Sequence, residues 1–202
     1  AVCQNAASPT ITFTGANGTA PYTFNYTING TAQPAVTTVS GNSVTVAAPT
    51  SVVGSFAYSL VNVQSSGTPS CSQNQTGTAT ITVNPLPTAT ISGTVSVCLN
   101  DAEPQVVLTG ANGTAPYTFT YTLNGGLPVT APSSGNSLII NVPTTANGTF
   151  TYDLISVQDA SGTNCSQTQT GSATVTINSA PTLNTPTDYV VCDDSYNNDG
   201  FY

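Results

Sequence analysis

An eleven-residue stretch, TGANGTAPYTF, stands at Thr14–Phe24 and returns unchanged at Thr109–Phe119. Placing Cys3 on Cys98 brings the rest of the chain into register, with a period of 94 or 95 residues. GNSVTVAAPT answers GNSLIINVPT, and CSQNQTGTATITVN answers CSQTQTGSATVTIN. A third unit opens at VCDDSYNNDGFY. A repeat of this length is too long for one turn of a small solenoid and suits a self-contained domain, so the chain reads as an array of beads.

Inside each bead the apolar residues alternate. Ile11 and Phe13 share one face of a first strand, and Tyr22, Phe24, Tyr26 and Ile28 share one face of a second, with Thr23, Asn25 and Thr27 opposite. Asn17-Gly18 and Asn29-Gly30 carry turn chemistry, because both residue types tolerate positive φ. A further strand is expected over about Val36–Ser40, and Gly41-Asn42 turns into Val44 and Val46. Ser55–Gln64 alternates through Phe56, Tyr58 and Leu60, then shifts face at Val61 and Val63, the mark of a bulge. Ala79, Ile81 and Val83 line the last strand. About seven short strands with turn residues between them predict an immunoglobulin-like β-sandwich, twice over, in an all-β rod of tandem domains.

The expected organisation is a first sandwich over residues 1–85, a Pro-containing linker and start of the next strand over 86–96, a second sandwich over 97–180, and a linker with the start of a third module over 181–202. Pro85 and Pro87 hold the linker extended. AVCQN opens the chain in phase with the later SVCLN, which predicts a piece of something longer.

The charge balance excludes whole classes of function. The 202 residues include eight acidic side chains and no Lys, Arg or His, and no side chain from Ala1 to Asn100 is charged. No side-chain salt bridge can form, and nucleic acid or an anionic lipid surface has nothing cationic to meet. No apolar run is long enough to cross a bilayer as a helix. Nucleophilic catalysis by Ser, Thr or Cys lacks its histidine or lysine. Asp101 and Glu103 would share a strand face, but Ala6 and Ser8 stand at the matching positions of the first bead, so a repeated acid–base site is not expected. The predicted protein is not an enzyme.

Five cysteines, Cys3, Cys71, Cys98, Cys165 and Cys192, are separated by 68, 27, 67 and 27 residues. The spacing suits neither a zinc knuckle nor a CxxC pair. It suggests one bridge per bead, Cys3–Cys71 and Cys98–Cys165, in an oxidising compartment. Each would contribute about 4 kcal/mol in the chain-entropy model. Cys192 is then unpaired within these residues; its plain alternative is a buried free thiol.

DDSYNNDG, with Asp193, Asp194, Ser195, Asn197 and Asp199, resembles the front half of a calcium loop, and weak calcium binding is the one cofactor expectation. Its plain reading is a polar loop. Sequons at Asn17, Asn25, Asn112 and Asn147 mark exposed turns first. The threonine ladders Thr78, Thr80, Thr82 and Ser172, Thr174, Thr176 read as a solvated strand face before a carbohydrate- or ice-recognition face. Tyr26 and Tyr121 read as core residues before sugar-stacking platforms.

VCQNAASPTITFTGANGTAPYTFNYTING, CSQNQTGTATITVN and PLPTATISGT resemble the tandem repeats of giant Bacteroidota cell-surface proteins, including the gliding-motility adhesin type with immunoglobulin- or PKD-like modules. The resemblance runs from Ala1 to about Pro181, and VCDDSYNNDGFY resembles the start of another module type in such proteins. It implies export by type IX secretion and a structural role in a surface stalk, filament or adhesin. Implied partners are neighbouring repeats, copies of the same chain, or surface polysaccharide. The alternatives are a glycan- or surface-binding module and a filament subunit in which the segment after Pro181 completes a neighbour's sheet.

Overall fold

The computed structural model describes residues 1–185. Its first module contains β1 (Val2–Cys3), β2 (Thr10–Thr14), β3 (Tyr22–Ile28) and β4 (Thr31–Ala32). It continues with β5 (Val36–Thr37), β6 (Ser43–Ala47), β7 (Gly54–Ser65) and β8 (Ser72–Asn84). The second module contains β9 (Thr88–Ser92), β10 (Val95–Cys98), β11 (Gln105–Ala111), β12 (Thr118–Leu123) and β13 (Val129–Pro132). It ends with β14 (Ser137–Asn141), β15 (Gly148–Gln158), β16 (Ser166–Thr168) and β17 (Ser172–Asn178).

Each module is a two-layer sandwich, and the two stand in series. In the first, a mixed sheet ordered β1-β8-β7-β3-β4, with β5 beside β3, faces the pair β2-β6. In the second, β10-β17-β15-β12-β13, with β16 beside β15, faces β14-β11-β9. The sheets are mixed because β1 and β10 run parallel to β8 and β17. Each module has its own core. Ile11 and Phe13 of β2 meet Tyr22, Phe24 and Tyr26 of β3 and Tyr58 of β7. In the second, Val106 and Leu108 meet Tyr117, Phe119, Tyr152 and Val175. The predicted bulge is present, since the β7–β8 register shifts between Leu60 and Asn62. The strand expected over Val36–Ser40 is shorter, because only Val36 and Thr37 pair with β3.

Geometry explains why the turn after β2 and the start of β3 recur unchanged. A Cβ on Gly15 would lie 2.4 Å from the Tyr22 ring, and one on Gly110 would lie 2.5 Å from the Tyr117 ring. The Tyr22 hydroxyl then reaches back over the turn, accepting from Gly18 N at 3.0 Å and donating to Gly18 O at 2.6 Å. Tyr117 repeats both bonds with Gly113. Asn17 and Asn112 sit at φ 59° and 61°, where asparagine is tolerated. The backbone N–H of Tyr22 is closed by the Thr38 hydroxyl, and that of Tyr117 by Ser133. Glycine, asparagine and tyrosine in this motif are therefore one interlocked unit.

Burial raises the phenols of Tyr58 and Tyr152 above their ordinary value of 10.0, with Tyr26 and Tyr121 adding to the effect. With both states protonated the tighter hold makes no difference with pH, and once the unfolded phenol ionises first the balance shifts toward the unfolded state. Stability should therefore be flat up to about pH 10 and fall above it. Denaturant midpoints across that range check the sign, and a rising midpoint would contradict it. Gly15→Ala should cost about 3 kcal/mol through overpacking against Tyr22. Gly162→Ala, with nothing within 4 Å of its would-be Cβ, should be silent in the same melt.

Candidate functional site

The site with the most built geometry is the junction between the modules. β8 ends at Asn84, three residues pass, and Thr88 already pairs with Ala111 of β11. Pro87 is fully buried there. A disulfide joins Cys3, at the end of β1, to Cys165 in the loop between β15 and β16, across a sequence separation of 162.

This corrects the expected pairing. The structure does not pair Cys3 with Cys71 or Cys98 with Cys165; Cys71 and Cys98 are exposed free thiols. The reason lies in the length of the strands. Cys3 stands opposite Asn84 at one end of β8, whereas Cys71 immediately precedes Ser72 at the other. Thirteen residues of strand separate those poles by roughly 40 Å. A disulfide needs Cα atoms within about 7 Å. In the second module Cys98 lies opposite Asn178, near the Gly148 end of β15, and Cys165 lies near its Gln158 end. Only the junction brings a pole of one module against the opposite pole of the next.

A hydrogen-bonded chain runs beside the bridge. Asn84 Nδ2 donates to Thr163 Oγ1 at 2.8 Å, Thr163 Oγ1 lies 3.1 Å from Ser161 Oγ, and Ser161 Oγ donates to Asp159 Oδ1 at 2.8 Å. The single Ser161 proton is committed to the carboxylate, so Thr163 donates in the middle link. Asp159 is buried, and its Oδ2 accepts from Thr114 N at 3.2 Å. Hydrogen-bond donors, with no cationic side chain in the sequence to help, surround this carboxylate. A Cβ on Gly113 would lie 2.8 Å from Asp159 Cβ and 3.2 Å from Pro87 Cβ, so the cluster closes on a glycine. Ser65 holds the place of Asp159 in the first module. That difference between otherwise matching loops is the signal sequence reasoning passed over.

The other acidic candidates serve the backbone or stand apart. Asp101 Oδ2 accepts from Cys98 N at 2.9 Å, closing a turn. No group of three or more His, Cys, Asp or Glu side chains able to hold a metal occurs among the described residues. The candidate calcium residues Asp193, Asp194, Ser195, Asn197 and Asp199, with Cys192, lie outside the described residues. Tyr26 is buried and Tyr121 packs against the second core, and no described aromatic side chain is exposed. On the outer faces, hydroxyls pair across strands, as in Ser59 with Thr78 at 3.0 Å and Thr151 with Thr174 at 3.3 Å. No described helix is long and apolar enough to cross a membrane.

No protein-family model and no curated protein matches the chain. Solved structures of similar architecture include a Ca2+-stabilised adhesin with which an Antarctic bacterium reaches out and binds ice. It is 19% identical, with 89% of this chain and 46% of that one covered, at a TM-score of 0.47. The fibronectin(III)-like modules of Clostridium thermocellum CbhA are 12% identical, with 93% and 94% covered, at 0.36. Bacteroides ovatus SGBP-B, from a mixed-linkage glucan utilisation locus and solved with a mixed-linkage heptasaccharide, is 18% identical, with 98% and 48% covered, at 0.26. The chain thus spans about half the length of the adhesin and of SGBP-B. At those scores function has to be argued from the chain's own residues.

Reduction of the Cys3–Cys165 bridge should free the junction while leaving both cores folded, because each core is built from its own module's strands. Spin labels on Gln64 and Ser137 should show a broadened distance distribution, with near-ultraviolet tyrosine dichroism unchanged. Loss of that dichroism would mean that the cores depend on the bridge.

Proposed function

We propose that this chain is a load-bearing spacer: the repeat region of an extracellular bacterial stalk, filament or adhesin, in which consecutive sandwiches are locked into a stiff rod. The staple between Cys3 and Cys165 carries this reading. A flexible string of beads needs no covalent tie across a junction, whereas a strut gains from one. A structural disulfide persists in an oxidising compartment, which favours a place outside the cytosol. The absence of Lys and Arg leaves no site for trypsin-like proteases. The module limits proposed are residues 1–85 and 97–180, with 86–96 and 181–202 as connections. The finer assignment, to surface proteins of the gliding-motility adhesin type exported by type IX secretion, rests on the quoted repeat motifs.

The bridge also sets the mechanical path. Tension applied at the two ends of the chain passes from Cys3 directly to Cys165, so the residues between them are bypassed. Pulled from its ends, the oxidised chain should extend only through the residues outside that loop. Reduction should add about 550 Å of contour length, at 3.3–3.6 Å for each of the 162 bypassed residues. Force spectroscopy with and without reductant reads this directly. Equal lengths in both conditions, or peptide mapping that joins Cys3 to Cys71 in the native protein, would remove the locked spacer.

A further inference from the structure

The loop that supplies Cys165 carries more than a sulfur. Thr163 lies against both halves of the bridge: its carbonyl oxygen is 3.8 Å from Cys3 Sγ, and its hydroxyl oxygen is 3.1 Å from Cys165 Sγ. That same hydroxyl is the middle of the chain that ends, through Ser161, on the Asp159 carboxylate. A sulfur, two hydroxyls and a carboxylate therefore stand in one continuous series.

The protons give the series a direction. Ser161 donates to Asp159 and Thr163 donates to Ser161, so neither hydroxyl proton is left for the sulfur. Thr163 Oγ1 accepts from Asn84 Nδ2 with one lone pair, and its other faces Cys165. In the bridge Cys165 has no proton to offer, and the 3.1 Å contact is one between two acceptors. Opening the bridge supplies the missing proton. The Cys165 thiol then donates to Thr163, and every link runs the same way, from sulfur to carboxylate. Moving each proton along by one link gives the reverse arrangement, a thiolate that accepts from Thr163 and a protonated Asp159. All the links persist in both.

Burial is what makes such a series useful. Cys165 is 0% exposed and Asp159 is 4% exposed. The thiolate is the nucleophile, yet a buried thiol has no water to take its proton. Desolvation also disfavours the thiolate unless a donor meets it. Thr163 supplies both the route out for the proton and the donor. Cys3 is half-buried, and is the sulfur that a small reagent reaches. The first module provides the contrast. Ser65, Gly67 and Pro69 stand at the positions of Asp159, Ser161 and Thr163, and the neighbour of Cys71 Sγ, at 3.8 Å, is the backbone oxygen of Pro69. The cysteine recurs in that loop without the carboxylate and the two relay hydroxyls.

We infer that Asp159, Ser161 and Thr163 form a proton relay that makes Cys165 the nucleophile when the junction disulfide closes and the leaving group when it opens. A small-molecule disulfide such as oxidised glutathione first exchanges with Cys3, and the Cys3 proton leaves with the first glutathione thiol. The Cys165 proton then passes along the relay to Asp159 as the Cys165 sulfur attacks Cys3 Sγ. The bond between Cys3 and glutathione breaks, and the second glutathione leaves as a thiolate. It takes up a proton from solvent, to which Asp159 returns its own. Two protein thiols are oxidised, and one glutathione disulfide is reduced to two thiols. Reduction runs through the same steps backwards. Thr163 touches the reacting sulfur and is the catalytic residue; Ser161 and Asp159 are positioning residues that act through it. The proposal stands on the bridge and not on the spacer reading, since the tie has to be closed whatever the chain is for.

The test uses the full chain with Cys71→Ser, Cys98→Ser and Cys192→Ser, so that intact mass after alkylation reads the one remaining pair. Closure is timed with oxidised glutathione and opening with reduced glutathione. Ser161→Ala interrupts the relay while keeping the bonds of Thr163 to Asn84 and of Asp159 to Thr114. It should slow closure and opening alike, by roughly a hundredfold, and leave their ratio unchanged, because a relay lowers one barrier from both sides. Ser161→Thr should restore both rates. Asp159→Asn, which keeps the shape of the side chain but cannot take the proton, should slow both in the same way. A merely structural role would weaken the bridge instead, with closure slowed and opening accelerated. That pattern overturns the proposal, as do unchanged rates in Ser161→Ala and Asp159→Asn.

Discussion

Everything in this molecule follows from having to close its polar groups without a cationic side chain. Most proteins hold buried carboxylates and strand edges with Lys or Arg; here hydroxyls, amides and the backbone do that work. The hydroxyl pairs across the outer faces, the Thr38 and Ser133 bonds to the starts of β3 and of the strand after its twin turn, and the donors around Asp159 are instances of one solution. It is complete: no buried side-chain nitrogen or oxygen lacks a partner among the described residues. An unpaired buried polar group costs about 1–3 kcal/mol, so a low-charge chain has little room for error in its turns.

The same economy shapes the junction. With no ion pair to orient one module on the next, the chain uses a short proline-bounded connection, a strand handed from the linker to the following module, and a covalent bridge. The strand and the bridge are complementary. β9 makes the second module depend on the linker for part of its sheet, and Cys3–Cys165 ties the module's far loop back to the first. Together they turn a flexible connection into a two-point attachment, which resists rotation as well as separation.

The comparison of the two modules is a natural control. Their sequences match closely from the first cysteine to the last strand, so the difference in burial between Ala173 and Ala79, or in the space around Gly171 and Gly77, comes from the presence of β9 in one and not the other. The first module keeps its own core, with Ile11 and Phe13 only 7% exposed.

Much of this was legible in the residues alone. The repeat, the alternation through Tyr22–Ile28 and Gly54–Ser65, the bulge near Val61 and the inward tyrosines follow from side-chain period, because a strand shows each residue's face in its neighbours two positions away. The reason for the invariant turn was not legible, since the contact between Gly15 and the Tyr22 ring appears only when the loop closes. Nor was the disulfide pairing. Cysteines repeating every bead are consistent with bridges inside beads or between them, and spacing along the chain cannot say which. The length of β8 decides it, by holding Cys3 and Cys71 at opposite poles while the next module delivers Cys165. Local pattern determined the strands and their faces; which ends meet was decided in three dimensions, because covalent reach is measured through space and not along sequence.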